Sequence, residues 1–321
     1  MAVEATGVPT SAASVDVSVI VVTFNSAALI SRCIATVEKS AKSHVAELLV
    51  VDNASTDDTV QRVRAAAPEA TIVALGLNVG FAAANNIAFE KARGRYVALV
   101  NSDAFPDPGA LDQLIRRADS NARIGLVGGK LRDGNGRGQP SAGRFPSLIG
   151  NLGVALFVHR LPLVSRLPLS VSANPASYRT ARRVDWVSGA FCLARREVGL
   201  LPEAGFMYGE DVEWGRQARE RGFETWIEPQ ATAVHLGSGG SESLDTAAFR
   251  QNSRAAFDIR WFGASGRGTA WLARVVMVIH ALLRMALYAA ILPLQPERGR
   301  RGIGEFRVLL LAAVHPQARR D

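Results

Sequence analysis

The stretch VSVIVVTFN at positions 17–25 decides the fold: a β-branched, almost continuously apolar run that ends abruptly on Thr23, Phe24 and Asn25. A strand with one face in water alternates apolar and polar residues, whereas a near-continuous run belongs to a strand covered on both faces, as in a parallel sheet. Its polar end then lies at the carboxyl edge, where open α/β sheets bind their ligands.

The same logic extends outward from this strand. Over 26–40, Leu29, Ile30, Cys33, Ile34 and Val37 fall on one helical face. ELLVVD (47–52) reads as a second strand stopping at a carboxylate, and the STDD run at 55–58 as the cap of a helix carrying Val60 and Val63. A third strand is expected at 71–75, a helix at 82–92 closed by Gly94, and a fourth strand in RYVALV (95–100), which exits at Asn101, Ser102 and Asp103. Strands alternating with helices predict an α/β fold with a mostly parallel sheet flanked by helices. Three strand ends thus deliver Thr23 to Asn25, Asp52 with Asn53, and Asn101 to Asp103 to one edge. No GxGxxG follows the first strand, so an ordinary dinucleotide site is not expected. The Gly- and Arg-rich LRDGNGRGQPSAGRFP (131–146) is either a loop over the site or a connector; 148–168 is apolar, and VDWVSGAFCLARR (184–196) returns to the sheet with Trp186 near the cleft.

With 321 residues, 48% apolar and 21% charged, the chain is neither disordered nor fibrous and can bury a full core. Its two cysteines, Cys33 and Cys192, read as buried thiols of a reducing compartment. The net charge of +8 is C-terminal: from position 250 onward twelve arginines face four acidic residues, while the first 249 residues hold 25 of each sign. These arginines alternate with apolar stretches such as VVMVI (275–279) and LLL (309–311), which favours a membrane surface over nucleic acid. Arg274, His280 and Arg284 interrupt the run between 271 and 293, so a helix lying on or partly in the cytoplasmic leaflet is expected. A true span and a helix packed on the rest of the protein are the alternatives. The first fifteen residues lack a basic start and a continuous apolar core, and read as a disordered leader instead of a signal peptide.

GFMYGEDVEWGRQARERGF (205–223) and ATAVHLGS (231–238) carry the chemistry. Glu210 and Asp211 stand at a helix start, where the dipole favours the carboxylate form, and a lone His235 follows. An acidic pair there can simply complement the dipole, and a histidine can be structural; the first explanation does not account for the second residue. A carboxylate able to act as a base and a histidine able to ligate a metal together suit a catalytic site.

At this point the ordered motifs SVIVVTFN (18–25), VVDNASTDDT (50–59), LNVGFAAANN (77–86), LVNSDAFPDPGAL (99–111), VSGAFCLARR (187–196) and the two stretches above resemble one known group. They are similar, over 18–238, to family-two inverting glycosyltransferases of GT-A fold, especially bacterial rhamnosyltransferase-like members. The resemblance implies that Thr23, Asn25 and Asp52 hold a nucleoside, with Asn78, Gly80 and Asn85 against the donor. It implies that Asp103, beside Asn101 and Ser102, binds Mg2+ or Mn2+ together with His235, and that Asp211 is the base. Glu210, Trp186 and Gly189 would border the substrates. One departure stands out: Asn101 replaces the first carboxylate of the family's Asp-x-Asp motif, which removes a negative charge from the metal site.

The resulting expectation is an inverting, metal-dependent transferase moving a sugar, by resemblance L-rhamnose from dTDP-L-rhamnose, to a hydroxyl of a cell-surface polysaccharide or polyprenyl-diphosphate-linked glycan. A galactofuranosyl or N-acetylhexosaminyl transferase, or a non-catalytic nucleotide- or glycan-binding module, are the alternatives. The domain plan is a leader (1–15), a GT-A catalytic domain (16–245) with a nucleotide-sugar half (about 16–130) and an acceptor half (about 131–245), and a basic, apolar helical segment (246–321). Partners are a nucleotide-sugar donor, the glycan acceptor and the inner face of the cell membrane, with no nucleic acid.

Overall fold

A computed structural model describes residues 15–44, 46–157, 178–237 and 244–314. The expected leader, except its last residue, and most of the apolar stretch after 157 lie outside the described residues.

The expected strands form. β1 (Val17–Thr23), β2 (Ala46–Asp52), β3 (Thr71–Ala74) and β4 (Tyr96–Val100) make a parallel block in the order β3-β2-β1-β4. β5 (Ala104–Pro106), β6 (Ile124–Arg132), β11 (Phe191–Arg195) and β12 (Glu224–His235) continue the sheet as β4-β11-β6-β12-β5. β11 runs antiparallel to both neighbours, and β5 antiparallel to β12. The stretch at 131–146 is partly built into this frame: β7 (Gly138–Gln139) pairs with β6, and β8 (Ala142–Gly143) with β10 (Trp186–Val187). The short strand β9 (Arg182–Val184) pairs with β12.

The continuous apolar run of β1 is explained by helices on both faces. Val17, Val19 and Val21 pack on one side with α1 (Ile30–Ser40), α2 (Thr59–Ala66) and α4 (Ala110–Asp119). Ile20 packs on the other with α3 (Phe81–Lys91) and α6 (Glu210–Glu220). Alternation of side chains across the strand makes these two separate cores, and a fully buried Leu114 or Trp214 contributes roughly 1.5–3 kcal/mol of transfer free energy. At the start of α2 the turn is held by Asp57 instead of Asp58: the Asp57 carboxylate accepts the Thr59 N–H at 3.1 Å and the Ala27 N–H at 3.2 Å, while Asp58 makes no cap bond. Both cysteines are free and buried.

After the sheet, α7 (Leu244–Gly263), α8 (Arg267–Ile291) and α9 (Pro296–Val314) pack together around Ala255, Met277, Ala281, Phe306, Leu309 and Ala313. α5 (Leu148–Ala155) lies against α8. The interruptions at Arg274, His280 and Arg284 do not break α8, which among the described residues is one continuous helix long and apolar enough to cross a membrane. Only 11% of its most apolar stretch is buried, and Trp271, Leu272, Leu282 and Leu287 are exposed.

Candidate active site

Because β2, β1 and β4 are adjacent and parallel, their ends share one edge, with Thr23 directly opposite Asp52. The Thr23 hydroxyl donates to Asp52 Oδ1 at 3.0 Å and the Ser55 N–H to Oδ2 at 3.0 Å, so this buried carboxylate is fixed in orientation. Asn25 is exposed at φ 48°, and its amide oxygen accepts the Thr56 N–H at 2.8 Å. Asn25, Ala54 (φ 67°) and Tyr208 (φ 72°) are all in the left-handed region. Such strain, about 1–3 kcal/mol for a residue in a sparsely populated region, collects where loops present groups to a ligand.

A second loop joins this edge. Asn53 donates to the Gly80 carbonyl at 3.2 Å and accepts the Val79 N–H at 2.9 Å, while Asn78 Oδ1 accepts the Gly80 N–H at 3.0 Å. Gly80 sits at φ 88°, and a Cβ there would run into the Phe206 carbonyl, which accepts the Phe81 N–H at 2.9 Å. The Asn78–Gly80 loop is thereby stapled to the segment that precedes α6. Asn85 is placed differently from the donor contact expected of it: it is 1% exposed and its amide donates to the Phe81 carbonyl at 2.8 Å, serving the first turn of α3. Its neighbour Asn86, not singled out in the sequence, binds both backbone groups of Leu201.

The exit of β4 meets the end of β12. Pairing of β5 with β12 sets His235 opposite Ala104, and His235 Nε2 lies 3.4 Å from Asp103 Oδ1. Gln139 donates to the His235 carbonyl at 2.8 Å, which leaves its own amide oxygen 2.9 Å from His235 Nδ1. An amide oxygen only accepts, so Nδ1 carries a proton, and in the neutral ring Nε2 then presents its lone pair on the Asp103 side. Asn101 Nδ2 is 3.5 Å from the same nitrogen, and Asn101 Oδ1 is buried without a partner. Ser102 Oγ, 2.9 Å from Ser26 Oγ, ties this exit to that of β1. A carboxylate oxygen, an imidazole lone pair and an orphaned amide oxygen in one corner suit Mg2+ or Mn2+. No third His, Cys, Asp or Glu joins them among the described residues, so further ligands would be substrate oxygens or water.

Following the Phe206 segment, α6 is capped by Gly209, φ 98°, and carries Glu210, Asp211 and Glu213 in its first turn. Asp211 Oδ1 accepts the Val212 N–H at 2.9 Å, whereas Glu210 Oε2 is buried with no partner. Burial holds both carboxyls above the ordinary range, and for Glu210 the adjacent Asp211 adds to the rise. Trp186 is 7% exposed, donates its ring N–H to the Arg144 carbonyl at 3.0 Å and packs on Val212 and Phe257, so it braces α6 instead of facing open cleft. Gly189 fits against the Phe81 ring at the start of α3. Phe206, Tyr208 and Phe249 form an exposed aromatic group, with the Phe206 and Phe249 rings edge to face at 5.9 Å. Phe206 and Tyr208 lie in the stretch just before α6, while Phe249 comes from α7 and is brought to them only by the fold.

The pattern of glycosyl transferase family 2 matches residues 18–163. An N-acetylglucosaminyl-diphospho-decaprenol L-rhamnosyltransferase of Mycobacterium tuberculosis is 30% identical over 234 residues, covering 68% of this chain and 75% of that protein. The chain belongs to glycosyltransferase family 2. This family 2 enzyme also matches, over a shorter stretch, the succinoglycan biosynthesis protein ExoO of Rhizobium meliloti, at 36% identity over 106 residues, 33% of this chain and 30% of the relative. Its fold is that of GT-A glycosyltransferases. A mannosyltransferase of Pyrobaculum calidifontis, solved with GDP-Man and Mn2+, superposes with a TM-score of 0.56 at 17% identity over 94% of this chain and 88% of that one. A glucosyl-3-phosphoglycerate synthase of Mycobacterium tuberculosis, solved with Mn2+, UDP and phosphoglyceric acid, superposes with a TM-score of 0.52 at 21% identity over 78% of this chain and 79% of that one.

Proposed function

We propose that this glycosyltransferase is an inverting, metal-dependent rhamnosyltransferase acting on a polyprenyl-diphosphate-linked glycan. The observation that carries the reading is the convergence of Asp103 and His235 on the edge that holds Thr23 and Asp52, with the segment leading into the acidic start of α6 hydrogen-bonded to the Asn78–Gly80 loop at that edge. The 30% identical rhamnosyltransferase, whose name gives a decaprenol-linked N-acetylglucosaminyl acceptor, supports dTDP-L-rhamnose as donor and a lipid-linked acceptor.

In this reading Thr23, Asn25 and Asp52 hold the nucleoside, and Asn78 and Gly80 line the donor. Asp103 and His235 hold Mg2+ or Mn2+, which when bound offsets the negative charge developing on the departing diphosphate. Asp211 takes the proton of the acceptor hydroxyl as its oxygen attacks the anomeric carbon opposite the leaving group. The new glycosidic bond forms as the bond to phosphate breaks, and the anomeric configuration inverts. A carboxyl raised above its usual range is a stronger base near neutral pH than an ordinary aspartate. Asn101 in place of a carboxylate makes metal binding modest.

The catalytic domain of this proposal is 16–245, and 246–321 attaches it to the inner face of the cell membrane. The exposed apolar surface of α8 and the twelve arginines of this segment support that attachment. The test is a donor panel of dTDP-L-rhamnose, UDP-galactofuranose and UDP-N-acetylglucosamine, with a polyprenyl-diphosphate N-acetylglucosamine acceptor and Mn2+, read by mass spectrometry. A rhamnosylated lipid is expected. Transfer only from another donor would reassign the sugar, and no turnover from any donor would leave a binding module.

A further inference from the structure

Helix α7 stands in the segment expected to serve attachment, yet it closes against the first turn of α6. The Phe257 ring occupies the space a side chain at Gly209 would need, and it packs with Trp186, Val212 and Trp261. One turn later, Arg260 Nη2 lies 3.4 Å from Glu213 Oε1, whose side chain is only 8% exposed. Arg260 Nε is buried without a partner, as is Glu210 Oε2. Three carboxyls therefore share one helical turn, and the cation set against them comes from α7.

We propose that Arg260 is a positioning residue for the catalytic carboxylate: paired with Glu213 and close to Glu210, it offsets the acidic first turn of α6 so that Asp211 ionises and faces the acceptor. The C-terminal segment then completes the active site as well as attaching it. This inference rests on Asp211 being the base.

The physical argument is one of like charges. Burial, then the Asp211 and Glu213 charges, disfavour ionisation of Glu210, whereas the Arg260 charge opposes them; Asp211 itself is raised by burial. Asp211 also acts on the Cys192 thiol of β11, which burial and then Asp211 push up to about 12, so this thiol stays neutral throughout the working range. Without Arg260 the acidic pair holds its proton to higher pH. Asp211 then accepts an acceptor proton only in more alkaline solution.

The experiment measures kcat against pH from 5 to 9 for full-length wild type, Arg260→Gln, Arg260→Lys and Asp211→Asn, with Mn2+ and saturating substrates. In Arg260→Gln the acid limb should move up by about one pH unit, roughly a tenfold loss at pH 6, with activity approaching wild type at the alkaline end. Arg260→Lys should recover most of the shift, and the donor KM should not change. A second variant, Glu213→Gln, removes one carboxylate and should move the acid limb down; it reads the same effect if Arg260→Gln folds poorly by circular dichroism. An even loss at every pH, or unmoved limbs in both variants, with Asp211→Asn inactive, overturns this inference alone. An active Asp211→Asn overturns the base assignment itself.

Discussion

At the carboxyl edge of β1 and β2 Asp52 accepts from Thr23 and Ser55, Asn53 from Val79 and Asn25 from Thr56, whereas at the start of α6 Glu210 Oε2 has no partner and Asp211 has the N–H next to it. In the first region the polar groups satisfy one another across β1, β2 and the Asn78–Gly80 loop. The second is held in place from outside, by Phe257 and Arg260 of α7. Recognition of a nucleotide needs fixed dipoles; proton transfer needs a carboxylate that is less comfortable than in water. The contrast predicts that changes at the carboxyl edge act on binding and metal, and changes at α6 act on pH dependence.

The largest effect is expected where the two regions share the leaving group. On the proposed metal assignment, Asp103→Ala, or EDTA added to wild type, should lower transfer by about 10³-fold or more, since the site would lose one of its two proposed side-chain ligands, Asp103 and His235, and already lacks a carboxylate at Asn101. Full activity in metal-free buffer would remove the metal from the account. His235→Ala should fall less far, by about 10²-fold, because an imidazole can be replaced by water as a ligand.

A smaller effect separates orientation from ligation. Gln139→Ala leaves both ligands in place but frees the His235 ring, so Mn2+ affinity measured by titration calorimetry should fall by about 10–100-fold. Unchanged affinity would mean that the ring is held by Asp103 and Asn101 alone.

Stability should also separate the regions. The Glu210 carboxyl is raised in the folded protein above its unfolded value, so its contribution is fully present at low pH and is lost as pH rises through the raised value. Glu210→Gln should therefore melt higher than wild type at pH 8, by about 2–4 °C for each 1 kcal/mol relieved, and show no advantage at pH 4. Thermal scans at the two pH values decide this; an advantage that is equal at both would point to packing instead of charge.

The smallest effect concerns the C-terminal segment. Recovery of the full-length protein on anionic vesicles by flotation should drop in high salt without vanishing, because salt screens the arginines and leaves the apolar surface of α8 in contact with lipid. Failure to float with either neutral or anionic vesicles would assign these helices a packing role.

Much of this was legible because burial on both faces writes itself into composition. The VSVIVVTF run, the exits at Thr23, Asp52 and Asn101, and the helix beginning at Glu210 all follow from local pattern. The resemblance carried Asp103 and His235. What was not legible depends on contacts between distant segments: Gln139 reaches His235 only through the β7-β6-β12 pairing, and Arg260 reaches Glu213 only once α7 docks. Asn85 and Trp186 sit inside family motifs, but motif position does not say which way a side chain points, and in this fold both take backbone carbonyls as partners. Arg274, His280 and Arg284 interrupt the apolar run of 271–293, yet two arginines ten residues apart leave an α-helix intact, and α8 runs through them.

The most direct measurement compares wild type with Asp211→Asn for both rhamnosyl transfer and dTDP-L-rhamnose binding, at pH 7.5 with Mn2+. The substitution keeps size and hydrogen bonding but cannot take a proton, so kcat should fall by about 10²-fold or more while donor affinity stays within about twofold of wild type. An Asp211→Asn enzyme that turns over normally while Glu210→Gln is inactive would contradict the account and move the base to Glu210.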